Sequence, residues 1–167
     1  FPYSQGGQLM HQIAGKAVCF KEAQTQEFKQ YAKQIKKNTK ALTKGLRKHD
    51  LRMVSGGTDN HLVLVDLKEE DITGKEAEKK LEEANIVVNK NAVPYDPEPP
   101  MVTSGVRIGT PALTTRGMKE EELLEIGKMI GKILDNPENE KIIQNVEERV
   151  SKMLKKYELY GDSEVQY

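Results

Sequence analysis

Gly56-Gly57-Thr58-Asp59-Asn60-His61-Leu62-Val63-Leu64-Val65-Asp66-Leu67 is the stretch on which the fold turns. Ser55 to Asn60 is dense in Gly, Thr, Asp and Asn, residues that supply positive φ or bond their own backbone, and it reads as a turn. His61 to Leu67 then reads as a strand. Its centre, Leu62-Val63-Leu64-Val65, is an unbroken apolar run that suits a strand covered on both faces.

Downstream, Thr73 and Glu76 have the spacing of a capping box, and Ala77, Leu81 and Ala84 give the following helix, Glu76–Glu83, a buried line. Ile86 to Asn89 reads as a second strand, with Ile86–Val88 as its sheet portion, and Val106 to Gly109 as a third. Between them, Pro94 to Pro100 is too rich in proline for regular structure. Apolar steps of three and four predict helices over Glu120–Leu134 and Glu138–Lys156, with Pro137 suited to a first helical position. Gly161 to Tyr167 reads as a tail. Upstream, Arg52–Val54 is a possible short strand, and two helical runs, Leu9–Ala23 and Phe28–Leu46, are either one helix or two joined near Gln24-Thr25-Gln26. The pattern is an α/β layer in which a small sheet packs against helices.

The composition is that of a globular chain: 37% hydrophobic, 31% charged, with 26 Lys and Arg against 26 Asp and Glu. That balance favours neither a nucleic acid nor a membrane surface as partner. The basic runs Lys33–Lys40 and Lys152–Lys156 fall in helical patterns and read as solvated faces. No stretch stays apolar over the ~20 residues that a spanning helix needs. Cys19, the single cysteine, excludes an internal disulfide framework and is expected to be a buried small hydrophobe. His11 and His49 have no partners at metal-ligand spacing, so no metal is assigned. A start at Phe1-Pro2-Tyr3-Ser4, without an initiator Met or a basic leader, is expected of a piece of a longer protein, and the cytosol is the expected compartment.

Four segments have the chemistry of a site. Gln5-Gly6-Gly7 precedes a helix, where free amides and the helix dipole suit a phosphate, though a plain loop explains it too. In Ser104-Gly105-Val106-Arg107-Ile108-Gly109-Thr110-Pro111, strand alternation turns Arg107 away from Val106 and Ile108. A guanidinium fixed there suits a carboxylate held by two parallel bonds, or equally an internal ion pair. Asn89-Lys90-Asn91 leaves a strand and enters the proline loop, where amides face a site or cap a turn. Lys90 has polar neighbours and lacks the desolvation that a nucleophilic amine requires. Thr58-Asp59-Asn60-His61 reads as a structural turn rather than an acid–base group.

The run Thr103-Ser104-Gly105-Val106-Arg107-Ile108-Gly109-Thr110-Pro111-Ala112-Leu113-Thr114-Thr115-Arg116-Gly117 resembles the serine hydroxymethyltransferase family closely. So do Gln5-Gly6-Gly7 with Leu9-Met10-His11, Val54 to His61, Thr73-Gly74-Lys75-Glu76-Ala77-Glu78 and Val88-Asn89-Lys90-Asn91. The resemblance implies a fold like aspartate aminotransferase (fold type I), with a large cofactor domain and a small C-terminal domain. It implies pyridoxal 5'-phosphate as cofactor, interconversion of serine and glycine, tetrahydrofolate as one-carbon acceptor, and a homodimer or homotetramer. A mitochondrial form is compatible with it as well as a cytoplasmic one.

On that resemblance, residues 1–24 are loop and helix from the end of the large domain, 25–48 a connecting helix and 49–167 the C-terminal α/β domain. Arg107 corresponds to the arginine that binds the amino-acid carboxylate, and Asn91 to the asparagine that reads the pterin of the folate. Gly7, with Gly6, corresponds to backbone that reaches the cofactor phosphate of the partner subunit. Arg116 and His61 belong to family motifs without a catalytic role, and no catalytic residue is assigned. Tyr3-Ser4 and Gln8 depart from the family pattern beside the phosphate contact. The cofactor lysine, the aspartate on the pyridine nitrogen and the histidine stacked on the ring have no counterpart here, so the chain alone is expected to be inactive. The Leu9–Ala23 face is expected either to self-associate or to accompany disorder of Phe1–Gly7. Two other readings are a fragment of another fold-type I enzyme, such as a threonine aldolase-like protein, and a free-standing α/β binding or scaffold domain.

Overall fold

A computed structural model describes Tyr3, Ser4 and residues 6–157. The expected tail from Gly161, and Phe1, Pro2 and Gln5 of the expected N-terminal loop, lie outside the described residues. The chain divides into two compact units, 1–33 and 34–167, and the division falls inside a helix.

The first unit holds α1 (Met10–Glu22) and the start of α2 (Gln26–Leu46). These are two helices rather than one. Thr25 caps the second, its Oγ1 accepting from the Phe28 amide at 3.2 Å and donating to the Glu22 carbonyl at 2.8 Å. Within this unit Met10, Ile13, Val18 and Phe20 are exposed. Cys19 is exposed too, contrary to expectation: no residue of α1 is buried, so its apolar neighbours in sequence form no core around it.

The second unit is a mixed α/β layer. Four strands, β1 (Arg52–Met53), β2 (Leu62–Asp66), β3 (Asn89–Lys90) and β4 (Gly105–Gly109), form one antiparallel sheet in the order β1-β2-β4-β3. The helices α3 (Gly74–Glu83), α4 (Pro111–Thr115), α5 (Glu120–Leu134) and α6 (Glu140–Leu154) complete it. Val63, Val65, Val106 and Ile108 face Leu42 and Leu46 of α2, Leu81 of α3, Ile130 and Ile133 of α5 and Val146 of α6 in one core.

Several expectations need correcting. β2 is covered on one face, not two: Val63 and Val65 are buried, while Leu62 and Leu64 are only partly so. The second strand begins at Asn89, and Ile86–Val88 is not strand. Ile86 is used to end α3 instead. Its amide donates to the Leu81 carbonyl at 2.9 Å, and the Asn85 amide to Glu82 at 2.9 Å with Asn85 at φ 60°. This is the paired-bond helix terminus that a left-handed Asn permits. Pro137 does not open the last helix. Asn139 caps it, accepting from Ile142, so α6 starts at Glu140. The short α4 was not expected, although Pro111 at its first turn is a helix-start signal. Gly45 is the place where α2 meets α5. A Cβ there would stand 2.8 Å from the Gly127 Cα.

Candidate functional site

Arg107 lies at the centre of β4. The alternation that buries Val106 and Ile108 turns its side chain to the open face of the sheet, where it is exposed. In register it stands between Leu64 of β2 and Asn89 of β3. Among the described residues no carboxylate pairs with its guanidinium. Asp66, two residues along β2 on the same face, is 3% exposed and is engaged by Arg52 and by Lys68 at 3.6 Å. The internal ion pair that the sequence left open is therefore not formed among these residues. A permanently charged, fork-shaped donor faces outward instead.

Asn91 extends the pairing of β3 by one residue, its amide donating to the Gly105 carbonyl at 2.8 Å. Period two puts Asn89 and Asn91 on the Arg107 side, with Asn91 at the diagonal position, about 7–8 Å away by general sheet geometry. Its Nδ2 donates to the Ala92 carbonyl at 2.8 Å, and its Oδ1 accepts nothing among the described residues. Gly105 permits this approach. A Cβ there would lie 2.5 Å from Val93 Cγ1 and 2.9 Å from the Asn91 carbonyl oxygen. Lys90 faces away and is paired with Glu78 at 3.3 Å. The Lys90 amide also donates to Glu78, and that bond is the main reason the Glu78 carboxyl lies below its ordinary pKa.

The loop from Asn91 to Gly105 closes around Asp96. Its Oδ2 accepts from the amides of Val93 at 3.0 Å and Ser104 at 2.9 Å, and its Oδ1 from the Glu98 amide at 2.9 Å and the Ser104 hydroxyl at 2.7 Å. Partial burial alone would raise this carboxyl's pKa. The Ser104 hydroxyl and then the three amides outweigh it and hold the group well below the usual carboxylate range.

The side chains of Thr58 and Asn60 in the turn before β2 are spent on the turn itself. Thr58 Oγ1 donates to the Leu62 carbonyl at 2.5 Å, and the Leu62 amide donates to Asn60 Oδ1 at 3.0 Å. The backbone carbonyl of His61 accepts from the Thr110 amide at 3.0 Å. A cleft of about 410 Å³ lies between residues 54–60 and Leu62–Leu64, and Arg107 does not line it. Arg116 donates to the Tyr157 carbonyl at 3.0 Å, a tie to the end of α6.

In the other unit, Gly6 and Gly7 are exposed, with no atom within 4 Å of where a Cβ would stand. Leu9 precedes α1 without a side-chain cap, so no capping side chain occupies the first-turn amides. Among the described residues no cluster of His, Cys, Asp and Glu could hold a metal ion, and no helix is long and apolar enough to cross a membrane.

The sequence named Asn89 only as part of the Asn89-Lys90-Asn91 segment, and did not single out Asp96. Register alone places Asn89 opposite Arg107. The Asp96-Pro97 dipeptide signals a local turn, but nothing in it announces the bond to Ser104, eight residues away.

The sequence model of the serine hydroxymethyltransferase family matches residues 1–130. Serine hydroxymethyltransferase 1 of Cupriavidus pinatubonensis (strain JMP 134 / LMG 1197) is 55% identical over 161 residues, which cover 96% of this chain and 39% of that relative. The chain thus spans about two fifths of the length of the curated relative it matches.

Proposed function

We propose, since the chain belongs to the serine hydroxymethyltransferase family, that it forms the C-terminal part of a transferase that interconverts serine and glycine, with tetrahydrofolate as one-carbon acceptor. The cofactor is pyridoxal 5'-phosphate, which when bound supplies the electron sink for breaking a bond at the amino-acid Cα. Arg107 grips the amino-acid carboxylate. Asn91 reads the pterin edge. The amides at Gly6 and Gly7 approach the cofactor phosphate of the partner subunit, in a homodimer or homotetramer.

One observation carries the reading: an exposed guanidinium that, among the described residues, has no carboxylate partner, in the middle of an open sheet face, with an amide oxygen at the diagonal position that accepts nothing from those residues. A permanently charged donor whose backbone is held by strands on both sides suits an incoming carboxylate, which it can grip with two parallel bonds. The residues fit the cofactor only in part. The glycine segment leaves room for an anion, while the cofactor lysine and its companions have no counterpart in these 167 residues. The chain alone is accordingly inactive.

The test is a pair of substitutions in a full-length protein carrying this segment. Arg107→Ala removes a charge-assisted contact to the carboxylate, which costs about 2–5 kcal/mol where the remainder of the full-length protein covers the sheet face and excludes water. Glycine affinity should therefore fall roughly thirtyfold to several thousandfold, at about 1.4 kcal/mol per decade. Asn91→Ala should raise the KM for tetrahydrofolate and leave glycine affinity nearly unchanged. Unaltered glycine binding in the Arg107 variant would remove the carboxylate assignment.

A further inference from the structure

The segment that joins Asn91 to Arg107 turns back on itself around a single carboxylate. We propose that Asp96 is a positioning residue: it fixes Asn91 relative to Arg107, and so sets how the folate cosubstrate lies against the amino acid. This rests on the folate reading of Asn91 given above.

The exit of the loop is tied to the body of the domain independently of Asp96. The Leu67 amide donates to the Ser104 carbonyl at 2.8 Å, the Gly74 amide to Thr103 at 2.8 Å and the Lys75 amide to Val102 at 3.0 Å. Ser104 is therefore a fixed point. Asp96 grips it twice, through its amide and its hydroxyl, and passes that constraint to Val93, two residues after Asn91. One further tie, Lys68 Nζ to the Pro94 carbonyl at 3.1 Å, acts on the same stretch.

Backbone conformation points the same way. Tyr95, immediately before Asp96, has φ 56°, and Thr103, immediately before Ser104, has φ 60°. Non-glycine residues seldom adopt this region, and a β-branched threonine least of all. Such conformations persist where the surroundings over-determine them. Packing does not hold Tyr95, whose side chain is 99% exposed. The bonds from Val93 and Glu98 to Asp96 flank Tyr95 and supply its constraint, while Thr103 is held by its burial, by the Gly74 amide on its carbonyl and by the neighbouring Ser104 bonds to Asp96.

The two site residues depend on this clamp unequally. Arg107 is paired on both sides, with β2 and with β3. Asn91 stands at the end of β3, where the loop begins. Loosening the clamp should displace Asn91 and spare Arg107. Asp96→Asn does this with little change of volume. An amide has one oxygen, and its NH2 group would face donors, so two of the four bonds are lost.

The experiment compares KM values for tetrahydrofolate and serine in the full-length protein, for Asp96→Asn, Ser104→Ala and Asn91→Ala. Asp96→Asn should raise the tetrahydrofolate KM by about tenfold, since only part of the loosening of the loop reaches Asn91, with the serine KM changed by less than about threefold. Ser104→Ala, which removes one bond to the carboxylate, should shift it the same way by less. If Asp96→Asn does not fold, Ser104→Ala decides. A raised tetrahydrofolate KM in Asn91→Ala, with none in the clamp variants, overturns the positioning role, and so does a parallel loss for both substrates. An unchanged tetrahydrofolate KM in Asn91→Ala overturns the folate reading itself, and the positioning role with it.

Discussion

Replacing Gly127 by alanine puts a methyl group where α2 and α5 meet. The new Cβ would stand 2.4 Å from the Leu42 carbonyl oxygen, 3.0 Å from the Gly45 Cα and 3.1 Å from the Leu46 amide nitrogen. All three are backbone atoms, so no flexible side chain can swing aside. The helices must separate. Leu42, Leu46, Ile130 and Ile133, each at most 1% exposed, would then lose contact with one another. Overpacking of this kind costs about 1–3 kcal/mol. Against it stands the better helix propensity of alanine, worth about 1 kcal/mol. A backbone oxygen at 2.4 Å places the cost in the upper half of that range, about 2–3 kcal/mol, so the net loss should be about 1–2 kcal/mol. Urea unfolding of the 167-residue chain, followed by far-UV circular dichroism, reads this as a midpoint lowered by roughly 0.5–1 M at an unchanged slope. Gly15→Ala is the matched control. It also sits in a helix but has no atom within 4 Å of its Cβ position, so it should leave helicity unchanged or raise it. A Gly127→Ala chain as stable as the parent would refute the close crossing of α2 and α5.

Two further outcomes follow from local geometry. Thr73 and Glu76 form a reciprocal capping box on α3, with Thr73 N to Glu76 Oε2 at 2.9 Å and Glu76 N to Thr73 Oγ1 at 3.3 Å. Thr73→Ala should cost about 1 kcal/mol in urea unfolding, and a midpoint equal to the parent's would show the cap to be idle. The Asp96 carboxyl titrates below its ordinary value in the folded chain, so its stabilising contribution is complete above that value and is lost as pH falls toward the folded one. Asp96→Asn should therefore lie below the parent by a constant margin from neutral pH to about pH 5, and the margin should narrow below about pH 4. A margin independent of pH down to pH 3 would mean that the ionised carboxylate is not what holds the loop.

Much of this was legible in the sequence, and the reason is periodicity. Leu123, Ile126, Ile130 and Ile133 share one helical face, and the boundaries of α5 coincide with the expected Glu120–Leu134. The alternation around Arg107 gave its orientation correctly, because a strand leaves only two directions for a side chain. What the pattern could not supply was competition between neighbouring elements. Ile86 has the apolar character of a strand residue, but the end of α3 claims its amide first. Leu62 and Leu64 look like their buried neighbours Val63 and Val65, and only the placement of the helices on one side of the sheet separates them. Cys19 sits among apolar residues in a helix without buried positions, which composition alone does not disclose. Asp96 was missed for a different reason. Its partners are mostly backbone amides, and amides carry no sequence signature.

The most direct test of the proposal that this segment contributes part of a site is serine-dependent glycine formation, with pyridoxal 5'-phosphate and tetrahydrofolate supplied. It should be measured for a full-length protein carrying the segment and for the 167-residue chain alone. Glycine formed by the full-length protein and none by the isolated chain is the expected result. Glycine formed at a catalytic rate by the isolated chain, or none by the full-length protein, would contradict it.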